Sequence, residues 1–133
     1  MTVYVIDASV AAEYLLQTPL GVQAAQLIET SYLLAPALLD VEVLSVLRRA
    51  LLRGVLSEAR ADAAVKDLTT WPVERVPHPP LLTAAWTHRH NLSAYDSVYV
   101  AVAKLYGAPL LSAGGPLARA PQLGITVQNI RLA

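Results

Sequence analysis

The sequence predicts an α/β fold of three layers, with helices on both sides of a central, mainly parallel sheet of about four to five strands. Three features carry that expectation. Short runs of β-branched and apolar residues alternate with longer stretches of helical periodicity, which is how strands joined by crossover helices read. The strand-like runs are apolar, as strands covered on both faces must be. A chain of 133 residues with no repeat, linker or low-complexity segment fits one domain, long enough to bury a core without disulfides or a structural metal.

In chain order, Thr2 to Ile6 is a β-branched and aromatic run that stops at Asp7, and Ala8 to Leu16 follows at once with helix formers. That reads as strand, acid, helix. Leu20 to Thr30 has a helical pattern, Tyr32 to Ala35 a brief strand pattern, and Pro36 suits the first turn of a long helix running to about Arg53, stopped by Gly54. Ser57 is placed to N-cap a polar helix from Glu58 to about Thr69, and Val73 to Val76 predicts a third strand. Pro79 and Pro80 open a helix toward His90. Ser93 caps another from Ala94 to Tyr106, with Gly107 as its stop. Pro109 to Ser112 predicts a fourth strand, Gly114 to Ala120 a turn of helix, and Ile125 to Val127 a last strand.

Composition narrows the class of function. Apolar residues make up 55% of the chain and charged ones only 15%, more greasy surface than a lone monomer needs, which points to a covering partner chain, identical or different. Ten basic residues balance ten acidic ones, so no global field draws the chain to duplex DNA or anionic membranes, and any nucleic-acid contact must be local. The absence of cysteine removes thiolate nucleophiles and Cys-ligated zinc and fits a reducing cytoplasm. No apolar run approaches the ~18 residues of a membrane span and the N-terminus has no basic leader, so a soluble, unprocessed protein is expected.

Three acids stand out. Asp7 sits at the carboxyl end of the first strand, where open parallel sheets bind ligands, although an aspartate there also serves as an ordinary helix N-cap. Ser9 can share either role. Glu42 lies mid-helix on a stripe with Leu38, Ser45, Val46 and Arg49, with no basic residue three or four positions away to pair with it. Asp40, two residues earlier, points elsewhere and reads as a favourable charge near the positive helix end. Asp96 follows Ser93 as in a capping box, yet shares its stripe with Tyr99, Val100 and Ala103, while Ser97 and Lys104 occupy the polar side. Its carboxylate is therefore expected to face the interior.

These residues stand in three stretches: Val5-Ile6-Asp7-Ala8-Ser9-Val10; Leu39-Asp40-Val41-Glu42-Val43 leading to Leu47-Arg48-Arg49; and Leu92-Ser93-Ala94-Tyr95-Asp96-Ser97-Val98-Tyr99-Val100-Ala101. Together they resemble the PIN-domain family, and within it the VapC-type toxin ribonucleases of toxin–antitoxin pairs, over nearly the whole length. The resemblance implies a PIN-like fold and a metal-dependent endoribonuclease with RNA as substrate and an antitoxin protein as partner, while the apolar surplus adds the expectation of a homodimer. It places Asp7, Glu42 and Asp96 at three of the family's acidic metal-site positions, with Ser9 as the small hydroxyl residue beside the first. The family often has a further acid after the fourth strand, where this chain reads Leu110-Leu111-Ser112-Ala113-Gly114. Glycine offers no side-chain ligand, which puts a second metal position and full activity in question; Ser112 would at most hold a water there.

Three carboxylates within ~5 Å of one another repel by ~3 kcal/mol per pair at an effective dielectric of ~20. Hard oxygen donors without Cys or a His cluster favour Mg²⁺ or Mn²⁺ over zinc. Asp7 and Asp96 then serve as direct or water-mediated ligands, and Glu42 positions a water or closes the shell. Arg48, Arg49 and Arg53 are candidates to grip RNA phosphates, against the alternatives of a solvated helix face or an antitoxin contact. His78, His88 and His90 read as surface residues at a helix end, and Gly114-Gly115-Pro116 as a turn, lacking the Lys-Ser of a phosphate loop. A receiver domain would need adjacent acids after the first strand, and a dehalogenase-type phosphatase Asp-x-Asp; Asp7-Ala8-Ser9 supplies neither. The remaining alternative is a catalytically weakened PIN-like domain that binds RNA or an antitoxin without cutting.

Overall fold

A computed structural model describes residues 1–119 and 123–132. Its strands are β1 (Val3–Ile6), β2 (Tyr32–Pro36), β3 (Glu74–Val76), β4 (Leu110–Ser112) and β5 (Val127–Asn129). All adjacent pairs run parallel, in the order β3-β2-β1-β4-β5. The helices are α1 (Ala8–Leu15), α2 (Pro19–Glu29), α3 (Leu38–Leu52), α4 (Glu58–Thr70), α5 (Leu82–Trp86), α6 (Ala94–Tyr106) and α7 (Pro116–Arg119). This is the expected three-layer arrangement with an all-parallel sheet. Helix α1 packs on α2, α3 and α4, while α6 lies across β1, β2 and β4 with α5 beside it.

The central strands and α6 form the core for a simple reason: they carry the least polar sequence. Val5, Ile6, Leu110 and Leu111 are wholly buried, and every residue of α6 from Ser97 to Ala103 is buried too. Each large aliphatic side chain so removed from water contributes about 1.5–3 kcal/mol before entropy is charged against it. Ser97 therefore does not lie on a polar face as expected; its Oγ donates to Ala94 O at 2.8 Å, which satisfies the hydroxyl inside its own helix.

Several boundaries differ from expectation. Pro36 does not open α3 but ends β2, opposite Val76, because a proline at a strand's end forfeits no ladder bond that the sheet needs. The Pro79–Pro80 segment makes only a short 3₁₀ turn and the five residues of α5, so no helix reaches His90. The last strand is shifted to Val127–Asn129, in register with Leu110 to Ser112. Ala120, the last residue of the expected helical turn after Gly114, lies outside the described residues, and α7 begins only at Pro116. Gly107, at φ 60°, closes α6 in the left-handed conformation as expected. Among the described residues no helix is long and apolar enough to cross a membrane.

Candidate active site

The strand order reverses between β1 and β4: connections run outward to β2 and β3 on one side and to β5 on the other. Side chains that follow β1 and β4 therefore converge on the crevice beyond the strands' carboxyl ends, where open α/β sheets bind ligands. Asp7 is the first residue after β1. Its extended backbone makes it the N-cap of α1, and Oδ1 accepts from Val10 N at 3.1 Å. The two readings of Asp7 are thus compatible: one oxygen caps the helix while the carboxylate stands in the crevice.

Ser9 completes the first layer of support. Its Oγ donates to Asp7 Oδ1 at 2.5 Å and accepts from Ala113 N at 3.0 Å, stitching the start of α1 to the turn after β4. Asp7 is only 7% exposed, and burial pushes its carboxyl above the ordinary range, against the hydrogen bonds from Ser9, Ser112 and backbone amides.

Glu42 and Asp96 reach the same cleft, of about 280 Å³, from α3 and α6. Glu42 has a partner that its helix neighbours did not reveal: Tyr99 Oη donates to Glu42 Oε1 at 2.6 Å. Burial pushes the Glu42 carboxyl up, and the negative charges of Asp96 and Asp7 push it further, while Tyr99 and Arg49 pull it back. Asp96 is half-buried, its N–H held by Ser93 Oγ at 3.1 Å, and burial raises its carboxyl as well. Three acids from three elements therefore share one cavity, each less willing to ionise than in water. Asp40, by contrast, points away and is bound by Arg75.

The basic residues separate. All three arginines are exposed; Arg49 lines the cleft and donates to Ser45 Oγ at 3.4 Å, whereas Arg48 and Arg53 lie outside it. Ser112 is fully buried and is not among the cavity's lining residues; its hydroxyl donates to Gly114 O at 2.8 Å and lies within reach of the Asp7 carboxyl, so it supports the site from behind. Gly114 is at the rim with φ 118°. His78 is half-buried at the start of the 3₁₀ turn, and its Nε2 accepts from Leu38 N at 2.9 Å, supplying the helix cap that Ala37 cannot. His88 pairs with Lys104 at 3.2 Å on the far side of α6, away from the acids.

The donor set tests the fit of a metal. All three acids offer hard oxygen, and a cation among them would offset the burial that raises all three carboxyls and the like charge that raises Glu42 further. As placed, no three His, Cys, Asp or Glu side chains among the described residues stand close enough together to hold a metal ion between them.

Fold and cleft together define an α/β domain with an acidic site at the switch point of a parallel sheet. The PIN domain family model matches residues 4–123. The chain is 36% identical over 115 residues to Ribonuclease VapC12 of Mycobacterium tuberculosis, covering 86% of this chain and 89% of that one. It is 43% identical over 98 residues to Ribonuclease VapC1 of the same species, covering 73% and 74%. Its fold is similar to VapBC2 from Rickettsia felis, solved bound to a DNA fragment from their promoter, with a TM-score of 0.66, 11% identity and 96% and 98% coverage. The chain belongs to the PIN-domain family.

Proposed function

We propose that this chain is a metal-dependent endoribonuclease, the toxin of a toxin–antitoxin pair, hydrolysing RNA phosphodiester bonds at the cleft of Asp7, Glu42 and Asp96. The observation that carries the reading is the convergence of three carboxylates, far apart in sequence, on one cavity where burial raises all three and like charge raises Glu42 further. Such an arrangement is costly without a divalent cation and is repaid by one. The names of the VapC relatives support RNA as the substrate and the VapBC2 pair supports a partner chain. Exposed apolar residues such as Trp86, Tyr95 and Leu105 supply surface for an antitoxin or a second copy in the cytoplasm.

Asp7 and Asp96 would hold Mg²⁺ or Mn²⁺, directly or through water. When bound, the cation supplies positive charge for the phosphate oxygens and acidifies an attacking water. Glu42, oriented by Tyr99, would be the group placed to orient an attacking water or take its proton. Arg49 gives the cleft a cation that acts on Glu42 at a distance but makes no ion pair among the described residues, suited to a phosphate of the RNA.

Gly114 favours a second reading, a weakened domain that binds RNA or an antitoxin without cutting. The deciding assay incubates the chain, freed of any bound partner, with structured RNAs in Mg²⁺ or Mn²⁺. Cleavage that EDTA stops and Asp7→Asn abolishes supports the nuclease. RNA binding without cleavage in either metal supports the weakened domain, and cleavage that persists in excess EDTA excludes the proposed chemistry.

A further inference from the structure

Helix α1 grips the turn after β4 at two points. Ser9 Oγ accepts the Ala113 N–H at 3.0 Å and donates its own O–H to Asp7 Oδ1. One helical turn along, on the same face of α1, Glu13 Oε1 lies 3.6 Å from Arg131 Nη2, and Arg131 Nε donates to Ala113 O. The N–H and the C=O of one residue are thus both tied to α1, the second through a guanidinium brought in by the segment that follows β5.

The turn has few other restraints. Strand β4 ends at Ser112, α7 begins at Pro116, and between them Gly114 and Gly115 hold φ values of 118° and 84°. Two consecutive glycines in conformations other residues avoid leave the backbone free to rearrange unless something outside fixes it. Ser112 braces the turn from within, through Gly114 O, and reaches Asp7 from the end of β4, but it does not hold the Ala113 carbonyl.

We propose that Arg131 is a positioning residue of the acidic cleft, clamping Ala113 so that Ser9 stays on Asp7 and the Gly114–Gly115 backbone keeps the rim in place. Its effect on turnover rests on the nuclease reading above; its effect on the turn does not. The clamp also changes what an acid at 114 would do. A Cβ on Gly114 would lie 3.6 Å from Arg131 Nε, so the carboxylate of Gly114→Asp would pair with the guanidinium and release Ala113 O. The strained backbone there would move as well.

The test compares the full-length chain with Arg131→Ala, Arg131→Lys and Glu13→Gln by amide hydrogen exchange, Mn²⁺ titration and RNA cleavage. In Arg131→Ala the amides of residues 113–115 are expected to exchange about tenfold faster while those of α6 are unchanged, which separates the clamp from global unfolding. Mn²⁺ affinity is expected to fall about tenfold, the usual loss when support behind a ligand is removed, and kcat to fall with KM within about twofold. Arg131→Lys, which keeps one donor for Ala113 O, restores part of each change, and Glu13→Gln gives a smaller version. Unchanged exchange at 113–115 together with unchanged Mn²⁺ affinity overturns the proposal, as does a rise in KM alone, which would place the guanidinium on RNA. If no form cuts RNA, exchange and Mn²⁺ affinity still decide.

Discussion

Two acids on one turn of α3 meet opposite fates. Asp40 Oδ1 accepts from both Arg75 Nε at 3.2 Å and Nη2 at 3.0 Å, and the same guanidinium also donates to the carbonyls of Leu68, Trp71 and Val73. Two residues on, Glu42 faces two further carboxylates and receives one phenol. The Asp40 corner is neutralised and serves the fold, joining the end of α4 and β3 to α3. The Glu42 cleft is left with surplus negative charge that the fold alone has no use for. Pairing, not acidity, separates the carboxylate that serves the fold from the one proposed for the chemistry of the cleft.

The largest effects are expected on the unpaired side. Asp7→Asn keeps the N-cap of α1, since asparagine caps as well as aspartate, but removes a charge from the cleft. Cleavage should fall by at least ~10³-fold, about 4 kcal/mol of transition-state stabilisation. Stability of the metal-free chain should move the other way. The folded-state pKa of Asp7 is raised, so the contribution of this carboxyl to stability is present below its unfolded pKa and lost as pH rises through the higher folded one. At neutral pH, Asp7→Asn should therefore melt above the wild type in EDTA, and the gap should close in mild acid. A variant that melts lower at pH 7 would show that Asp7 is already compensated, as Asp40 is.

The paired side should show the inverse pattern. Arg75→Met strands three backbone carbonyls and the Asp40 carboxylate in half-buried surroundings, a loss of about 2–4 kcal/mol. Chemical denaturation should report that loss, while cleavage per folded molecule stays within about twofold of wild type. A drop in kcat as large as that of Asp7→Asn would mean the two regions are not separable.

Between the extremes lies Tyr99→Phe. It removes the one hydrogen bond that holds Glu42 without changing the packing of a ring that is 1% exposed. The Glu42 carboxyl should rise further, because the phenol is the main influence holding it down. A roughly tenfold fall in kcat, with the acidic limb of the pH–rate profile shifted to higher pH, is the expected outcome. An unshifted profile would show that Glu42 takes no part in the proton transfer.

Much of this contrast was legible in the sequence. Asp7 after a strand, Asp96 behind a capping serine and Glu42 without a local base are short-range facts, and the apolar strand runs set the sheet that brings them together. Tyr99 was in view on the Asp96 stripe and read as packing, because a tyrosine on an apolar face gives no sign of where its hydroxyl points. The partners that span the chain were not legible. Arg75 reaches Asp40 across 35 residues, His78 reaches Leu38 across 40, and Arg131 reaches Ala113 across 18, each depending on which strand ends lie side by side. The sheet boundaries failed at Pro36 and Ile125 for a related reason: strand length is set by the neighbour's register, and not by the strand's own residues.

The smallest expected effect sharpens the comparison at the start of α3, the helix that carries both acids. Ala37 precedes it without a capping side chain, and His78 Nε2 accepts the Leu38 N–H in its place, which puts the imidazole proton on Nδ1. His78→Ala should cost about 1 kcal/mol, the usual value of a lost helix cap, and His78→Gln less, because an amide oxygen can still accept. Asp40 and Glu42 then give different readouts of the same loosening. If the helix start frays locally, amide exchange rises near Leu38 and Asp40 while cleavage is unchanged, because Tyr99 holds Glu42 independently of the cap. If cleavage falls by as much as in Tyr99→Phe, α3 moves as a rigid rod and the cap, though far from the acids in sequence, sets the position of Glu42.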